Sequence, residues 1–355
     1  MKIFNLRLAL SLSLIFMFNF EVNAQNSTIE EVIVSAEKRD ESLQDISQAV
    51  SALTDSDLEN KNIESFVDLS AIVPGVTVSK NEGYKTVISI RGVGNETNQN
   101  AIAAPSVAFH IDGVFIASPF SLLTDFIDID RIEVLRGPQG TLFGQNSTGG
   151  AINVISKKPT TDDYYGKADV TLGNYDLLKY RSSVNIPINE KVATRFSFSS
   201  TERDGFSENI VNGQDLDDAN NLSLRSDWVI ETSETSSLRI FAQYFDIDRN
   251  GAAMRGIDDQ TAGIRHLAQD TLSNQELTSK VFAAIYEQDL GYANLKILAS
   301  SQEDDISVTR DNDRHNLGET VAAIPGLEGT TYIKAEFRPE TSLVETKTLE
   351  VNLIS

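Results

Sequence analysis

Few residues of this chain have the types and spacing that catalysis requires. Gly92-Val93-Gly94 begins like a dinucleotide-binding loop, but Thr97 stands where the third glycine is needed. The segment 144–149 has one residue too many for the nucleophile elbow of a hydrolase. The three histidines are far apart in the sequence and form no zinc-binding pair. We therefore find no enzyme signature and expect neither catalytic residues nor a cofactor.

One stretch resembles half of a metal site. Residues 246–251, Asp-Ile-Asp-Arg-Asn-Gly, match the first half of a calcium-binding loop, but the twelfth position is Ile257 instead of a bidentate glutamate. A polar turn beside a strand is the favoured interpretation. The acids Asp215, Asp217 and Asp218 are expected to form a solvated loop, with a weak cation site as the alternative. No metal site is predicted.

Two arginines stand between an apolar residue and a glycine. Arg91 precedes Gly92, and Arg136 precedes Gly137. Such flanks predict that each guanidinium lies inside the protein, where it needs carboxylate partners.

Composition limits the class of protein. The chain has 355 residues, 40% of them apolar, and a formal charge of −22. Nucleic-acid phosphates would repel such a chain, so no nucleic-acid partner is expected. Because the sequence has no cysteine, disulfides, a lipid-modified cysteine anchor and cysteine-ligated metals are excluded.

The first 24 residues predict a cleaved signal peptide. Lys2 and Arg7 precede an apolar run over 8–20, and residues 22–24, Val-Asn-Ala, form a small-residue cleavage site. A membrane anchor is the alternative, but the run is shorter than the roughly 20 residues of a spanning helix. At the other end, residues 350–355 break off within an apparent strand. We therefore expect an N-terminal fragment of a longer chain.

Residues 41–160 predict a small α+β domain. Strands are expected over 48–53, 76–78, 86–90, 132–135 and 151–155, with a capped helix from Thr54 to about Lys61 and helical spacing over 62–71. Five glycines fall between residues 137 and 150. They indicate positive φ angles or close approach of another element.

From residue 161 onward, apolar residues alternate with polar ones in about eight segments, typical of β-strands. After the first hairpin, short connections at 189–190, 232–236 and 288–291 alternate with long polar ones at 203–219, 248–276 and 310–342. This alternation is typical of an outer-membrane barrel. A soluble sandwich is the alternative, but it does not explain the regular lengths.

Three motifs resemble the plug domain of TonB-dependent outer-membrane receptors. They are Ser89-Ile-Arg-Gly92, Ile111-Asp-Gly-Val114, and the run from Arg131 to Pro138 with the glycines that follow it. The resemblance implies a plug followed by the start of a transmembrane antiparallel β-barrel. A domain of about 110 residues does not fit inside eight strands, so the complete barrel is expected to have about 22. Arg91 with Gly92, and Arg136 with Gly137, would then form a lock that holds the plug. The two arginines would pair with wall acids in strands beyond this chain.

Residues 25–40 contain Glu31, Val32, Ile33, Val34, Ser35 and Ala36, which are similar to the family's TonB box. By propensity alone this run would be an ordinary first strand. The resemblance implies instead that it reaches into the periplasm and pairs with TonB.

Polar plug loops are expected to face the ligand. The candidate residues are Asn95, Asn98, Gln99, Asn100, Ser118 and Phe120. A solvated loop without ligand contact is the alternative.

The resemblance implies a monomer in the outer membrane of a Gram-negative bacterium. Its expected partners are TonB with its inner-membrane energising complex, outer-membrane lipid and a small-molecule substrate. Active import of a ferric siderophore or other iron complex is the expected function. Import of a vitamin or oligosaccharide, passive binding and a non-functional truncated receptor are the alternatives. A signalling domain ahead of the box is not expected, because only residues 25–28 precede Ile29 after cleavage.

Overall fold

The computed structural model describes residues 33–35, 41–81, 84–94, 105–118, 120–256, 259, 261–311, 314 and 340–354. The predicted signal peptide, Glu31, Val32, Ala36 and the four predicted ligand residues Asn95, Asn98, Gln99 and Asn100 lie outside these ranges.

The first domain, called the plug below, is built from short strands and single helical turns. Its strands are β1 (Ile33–Val34), β2 (Glu41–Ser42), β3 (Val50–Thr54), β4 (Val76–Asn81), β5 (Lys85–Ile90), β6 (Val93–Gly94), β7 (Val107–Ile111), β8 (Val114–Phe115), β9 (Ile129–Arg136) and β10 (Gly150–Ser156). Its helices are α1 (Asp55–Asn60), α2 (Leu69–Ile72) and α3 (Gly140–Phe143), with 3₁₀ turns at Phe66–Asp68 and Ser121–Leu123. Within the described ranges, the central sheet has the order β3-β9-β10-β7-β8, and β4-β5-β6 form a second sheet.

The predicted capping box begins α1. The Thr54 hydroxyl accepts from the Asp57 amide, and the Asp57 carboxylate accepts from the Thr54 amide. The helix predicted over 62–71 is wrong for its first four residues. Asn62 takes a left-handed φ of +52°, and Ser65 begins a new turn capped by Asp68. The chain therefore reverses there before helical structure resumes at Phe66.

Four of the five glycines in the glycine-rich run show the predicted positive φ or close approach, and Gly140 shows neither. Gly137 and Gly144 have φ angles of +106° and +73°. Gly150 has a φ of +149°, and a Cβ at that position would overlap the carbonyl oxygen of Leu135. At Gly149 a Cβ would lie 2.8 Å from the Val93 carbonyl oxygen. The plug motifs thus join strands β6, β9 and β10 at a place where side chains do not fit.

The second domain, called the wall, is one antiparallel sheet. In the part of the chain that the structure describes, its strands are β11 (Tyr165–Leu172), β12 (Leu178–Asn189), β13 (Val192–Arg203), β16 (Ala219–Ser233), β17 (Ser236–Arg249), β19 (Asn274–Asp289), β20 (Asn294–Thr309) and β21 (Glu340–Ile354). Consecutive strands are neighbours throughout. The eight predicted strands are therefore confirmed, and they form a curved wall around the plug instead of a two-sheet sandwich.

The long connections carry structure of their own. Strands β14 (Ser207–Asn209), β15 (Gln214–Leu216) and β18 (His266–Leu267) pair with one another and tie the connection 204–218 to the connection 250–273. Among the described residues, no helix is long and apolar enough to cross a membrane.

The alternation along the wall strands places different residues on its two faces. Phe196, Leu224 and Phe282 are exposed on the outer face. Phe241, Val281 and Leu298 point inward and share one apolar core with the plug residues. The plug and the wall are therefore packed together through buried side chains.

Candidate functional site at the contact between plug and wall

The predicted arginines do not pair with the described part of the wall. The prediction that Arg91 lies inside the protein is wrong for the part of the chain described: Arg91 is exposed with a φ of +53°, and its amide donates to the Gly75 carbonyl at 2.7 Å. The Arg136 amide donates to the Ala49 carbonyl at 3.0 Å, while its buried Nε has no partner among the residues described. The adjacent Gly92 and Gly137 have positive φ angles. The role of these four residues as a lock stays a prediction.

A different group of charges joins plug and wall. Asp112 of the plug binds Arg225 (Oδ2 to Nη2, 2.7 Å) and Arg239 (Oδ1 to Nη1, 3.2 Å) of the wall. Both arginines also bind Asp227, at 2.9 and 2.6 Å. Ser156 at the end of β10 donates to Asp112 through its hydroxyl at 2.6 Å and accepts from Arg239 at 2.9 Å. We call these five residues the central ion cluster.

The fold explains how the cluster assembles. Asp112 lies in the tight turn between β7 and β8 with a φ of +50°, a conformation that aspartate tolerates better than most residues. Arg225 and Asp227 are two residues apart on β16, so both point to the same face. Arg239 reaches them from the neighbouring strand β17. Two wall strands and two plug segments thus converge on one carboxylate.

The cluster is buried and internally balanced. Asp112, Asp227, Arg225 and Arg239 are each less than 10% exposed, and the four charges sum to zero. Burial alone would raise the pKa of Asp112, but Arg239, Arg225 and the Ser156 hydrogen bonds outweigh it and lower the pKa to about 2. Because a buried charge that loses its partner is costly, the cluster fixes where the plug sits against the wall.

In further ion pairs between plug and wall, the acid again lies on the plug and the base on the wall. Asp128, with a φ of +53°, binds Arg195 (Oδ1 to Nη2, 2.7 Å) and accepts from the Ser197 hydroxyl at 2.7 Å. Glu64 binds Lys179 at 2.8 Å and Arg181 at 3.3 Å. Each of these plug acids therefore meets basic residues of the wall.

This polarity is the reverse of the predicted arginine lock. Sequence reasoning missed the wall residues, although a signal was present. Arg225 and Asp227, like Lys179 and Arg181, are charges at alternate positions of strands whose intervening residues face outward. Charges on the face opposite the apolar one mark the side that meets the plug.

An apolar contact lies beside the charged one. Phe120 stacks on Tyr84 with ring centroids 5.7 Å apart, and the pair packs against Phe245, Leu277 and Val344 of the wall. Ser118 is 1% exposed, and its hydroxyl accepts from the Phe120 amide. The structure thus places Ser118 and Phe120 in packing between plug and wall, and a ligand contact at these two positions stays a prediction.

The described part of the predicted TonB box is docked on the plug. Ile33 and Val34 pair with Ser42 and Glu41, and Val34 is fully buried. The Ser35 amide donates to Glu133 Oε1 at 2.8 Å, and its hydroxyl lies 3.2 Å from both carboxylate oxygens.

The Glu133 carboxylate is held from the plug side as well. It is fully buried and also binds Arg131 Nε at 2.9 Å and Asn153 Nδ2 at 3.3 Å. A buried and firmly oriented carboxylate thus holds the segment 33–35, which we call the exit segment.

Hydrogen bonds join the end of one acidic motif to the other acidic motif. The Asn250 amide donates to Asp218 and the Ala253 amide to Asp217, while the Asp217 amide donates to the Gly251 carbonyl. Asp246 lies on β17, not in a loop, and accepts from Tyr244 and Thr278. No group of three or more acids or histidines within the described ranges is arranged to hold a metal ion.

Comparison with known proteins agrees with this architecture. Residues 42–151 match the model of the TonB-dependent Receptor Plug Domain family. An iron-regulated outer membrane virulence protein of Vibrio cholerae is 33% identical over 157 residues, which cover 42% of this chain and 24% of that protein. The vitamin B12 transporter BtuB of Vibrio vulnificus is 27% identical over 186 residues, covering 52% of this chain and 30% of the transporter.

A solved structure shares the fold. The ferric yersiniabactin uptake receptor FyuA from Yersinia pestis superposes with a TM-score of 0.64 at 18% identity, over 74% of this chain and 42% of that one. The aligned part of this chain thus spans about a quarter of the curated relatives named above. The matched plug, the wall of antiparallel strands and these relatives agree: residues 42–151 are a plug domain of the TonB-dependent receptor family, and the chain as a whole is similar to TonB-dependent outer-membrane receptors.

Proposed function

We propose that this receptor imports a scarce nutrient across the outer membrane by TonB-dependent active transport, with a ferric siderophore or other iron complex as its cargo. The observation that carries the proposal is the exit segment, a short strand held at the surface of the plug. TonB would pair with residues 31–36 and pull them away from Glu133.

The geometry of the exit segment suits such a partner. Among the described residues β1 pairs only with β2, and a strand added by TonB would pair with its other edge. Ile33 is 42% exposed, whereas Val34 is buried. Main-chain hydrogen bonds along an open edge give affinity, and a short run of β-branched residues favours the extended backbone that this pairing needs.

The plug–wall contacts suit a plug that is rearranged by force. A pull on residues 33–35 is resisted first at Ser35 and Glu133, which lie on one side of the central sheet. The central ion cluster ties Asp112 and Ser156 to the wall. The plug would therefore be loosened at its exit segment while the cluster keeps another part of it attached.

The cargo is argued from the relatives. One is named as iron-regulated and a structural neighbour as a ferric yersiniabactin uptake receptor. A vitamin is the second candidate, favoured by the similarity to a protein named as a vitamin B12 transporter.

Uptake by cells that produce the receptor tests this function. Radiolabelled ferric chelates of the hydroxamate, catecholate and carboxylate types are offered to cells with the intact receptor and with residues 31–36 deleted. We expect one chelate to be imported only by the intact receptor. Ile33→Val, which keeps the strand, serves as the matched control, and outer-membrane levels are compared by immunoblot.

Two results would contradict the proposal in different ways. Import that survives the deletion would reject coupling to TonB. Import of no chelate by any version, with normal protein levels, would reject iron as the cargo, and labelled cobalamin would be tested next.

A further inference from the structure

One carboxyl group lies inside the plug–wall contact without a basic partner. Asp304 on β20 is 1% exposed and points toward the plug. On the neighbouring strands it lies opposite Ser279 and Val344. No lysine, arginine or histidine in the described ranges forms an ion pair with it, in contrast to the acids of the central ion cluster.

One oxygen of the Asp304 carboxyl and one of the neighbouring Gln302 amide lack a hydrogen-bond partner among the described residues. Gln302 Nε2 donates to Asp304 Oδ2 at 2.8 Å and lies 3.3 Å from the Ser121 hydroxyl of the plug. The second oxygen of each group, Gln302 Oε1 and Asp304 Oδ1, is buried and has no hydrogen-bond partner within the described ranges, while the hydroxyls of Ser279 and Ser121 also lie near the carboxyl group. Two buried acceptors are thus left over on the same face of β20.

One proton satisfies both atoms. A protonated carboxyl has an O–H donor, whereas an ionised one has acceptors alone. With a proton on Oδ1 the acid becomes a donor, and the buried Gln302 Oε1 on the same face of β20 is an acceptor without a partner in the described ranges, while the amide donates to Oδ2. The neutral acid and the amide then form a complete pair, and no unpaired charge remains in the interior.

The surroundings also favour the neutral acid. Besides Gln302 and the hydroxyls of Ser279 and Ser121, the neighbouring side chains are apolar, because Ile306 flanks Asp304 on β20 and packs with Phe120, Phe245 and Val344. Such surroundings disfavour the charged form of a carboxyl group.

Charged groups of the adjoining elements form no ion pair with Asp304 among the described residues. Glu303 binds Lys280 on the outer face, and Glu345 is exposed on β21. On the plug side Lys85 lies 5.9 Å from the centre of the Phe120 ring, and beyond β20 Arg310 lies 4.8 Å from that of Tyr84.

We propose that Asp304 is a proton-binding site that senses whether the plug segment 120–124 is seated against the wall. While Ser121 and Phe120 cover it, the acid holds its proton and pairs with Gln302. When the segment moves away and water enters, the O–H bond of the acid breaks, the proton passes to water, and the carboxylate becomes hydrated. Seating of the plug therefore takes up one proton and is favoured at lower pH.

Infrared spectroscopy of the purified receptor tests the protonation directly and does not depend on transport. The difference spectrum between the receptor and its Asp304→Asn variant is expected to show loss of the carbonyl stretch of a protonated carboxylic acid at neutral pH. Asp246→Asn, at an acid on the outer face, is the control and is expected to remove carboxylate bands alone. Loss of carboxylate bands alone in Asp304→Asn would overturn the proposal.

A second variant guards against misfolding of the first. Gln302→Leu removes the amide but leaves the acid and its apolar surroundings. We expect the acid band to remain and to shift to higher frequency, because its hydrogen-bond acceptor is gone. Absence of an acid band in this variant, with the same spectrum in the region of β-structure, would contradict the acid–amide pair.

The link to plug position has its own test. Because the chain has no cysteine, Leu123→Cys provides a single thiol in the seated segment, and Glu234→Cys provides one on an exposed turn. The maleimide labelling rate at 123, divided by that at 234, is expected to rise between pH 5 and pH 8 and to stay constant when Asp304→Asn is added. Equal pH profiles with and without Asp304→Asn would overturn the link.

Discussion

Ser35 and Glu133 are 98 residues apart in the chain, yet the Ser35 amide donates to the Glu133 carboxylate at 2.8 Å and its hydroxyl contacts both carboxylate oxygens. This contact connects the segment predicted to bind TonB with the central sheet of the plug. It places a buried carboxyl group at the point where a pull on the exit segment would first act.

Glu133→Gln is expected to loosen the exit segment. The amide keeps the size of the side chain but removes the charge that strengthens its hydrogen bonds, and bonds to charged groups contribute about 1.5–3 kcal/mol against about 1 for neutral ones. A spin label on Ile33→Cys, again the single thiol in the chain, should become more mobile by electron paramagnetic resonance. Asp130→Asn, at the exposed partner of Arg131, is the control. Identical line shapes for all versions would show that Glu133 does not hold the segment.

Asp112→Asn is expected to destabilise the plug–wall contact strongly. It leaves Arg225 and Arg239 to share one carboxylate, and breaking a buried ion pair typically costs about 3–5 kcal/mol. The denaturant midpoint for release of the plug should fall, and limited proteolysis of the plug should be faster. Glu303→Gln, whose ion pair with Lys280 is exposed, should change the midpoint little. Equal losses for both variants would contradict the central role of the cluster.

The same aspartate predicts a pH dependence with a definite sign. Its pKa in the folded protein is about 2, below the ordinary value of about 3.9, so its contribution is fully present above about pH 4. The contribution is lost as the pH falls through the folded pKa and amounts to about 2.6 kcal/mol. The stability difference between the receptor and Asp112→Asn should be constant from pH 7 to pH 5 and shrink toward pH 2. A difference that grows on acidification would have the wrong sign.

Two glycines of the same motif should respond differently to alanine. Gly150→Ala places a Cβ against the Leu135 carbonyl at a φ that side chains rarely adopt. Gly140→Ala, at the first residue of α3, meets at most the Ser147 hydroxyl at 4.0 Å and improves helix propensity. We expect the first variant to reduce the amount of folded receptor in the outer membrane and the second to leave it unchanged. Equal amounts of folded receptor for the two variants would show that the backbone accommodates a Cβ at position 150 without loss of stability.

The sequence predicted those parts of the fold that depend on local patterns. The wall strands followed from alternation, the start of α1 from Thr54 and Asp57, and the tight packing at Gly150 from its motif. The break at Asn62 could not be foreseen, because one left-handed residue interrupts a run whose apolar spacing remains helical.

The candidate site was predicted far less completely than the fold. Arg91 and Arg136 carried the expected lock, but the described contacts are made by Asp112 and Asp128. Which wall residue meets which plug residue depends on the register of β16 and β17 against a turn more than 100 residues away. Such pairing is a property of the tertiary structure and has no local pattern in the sequence.

The central claim, that the exit segment is where TonB takes hold, is tested most directly by site-specific disulfide cross-linking in cells. A cysteine at position 33 is paired with cysteines placed along the strand of TonB that would add to β1. We predict cross-links between position 33 and TonB in one register. Their number should rise when Glu133→Gln is added, and Glu234→Cys, on the exposed turn between β16 and β17, should give none. Cross-links that are equal at positions 33 and 234, or absent at 33 while an energised TonB is present, would contradict it.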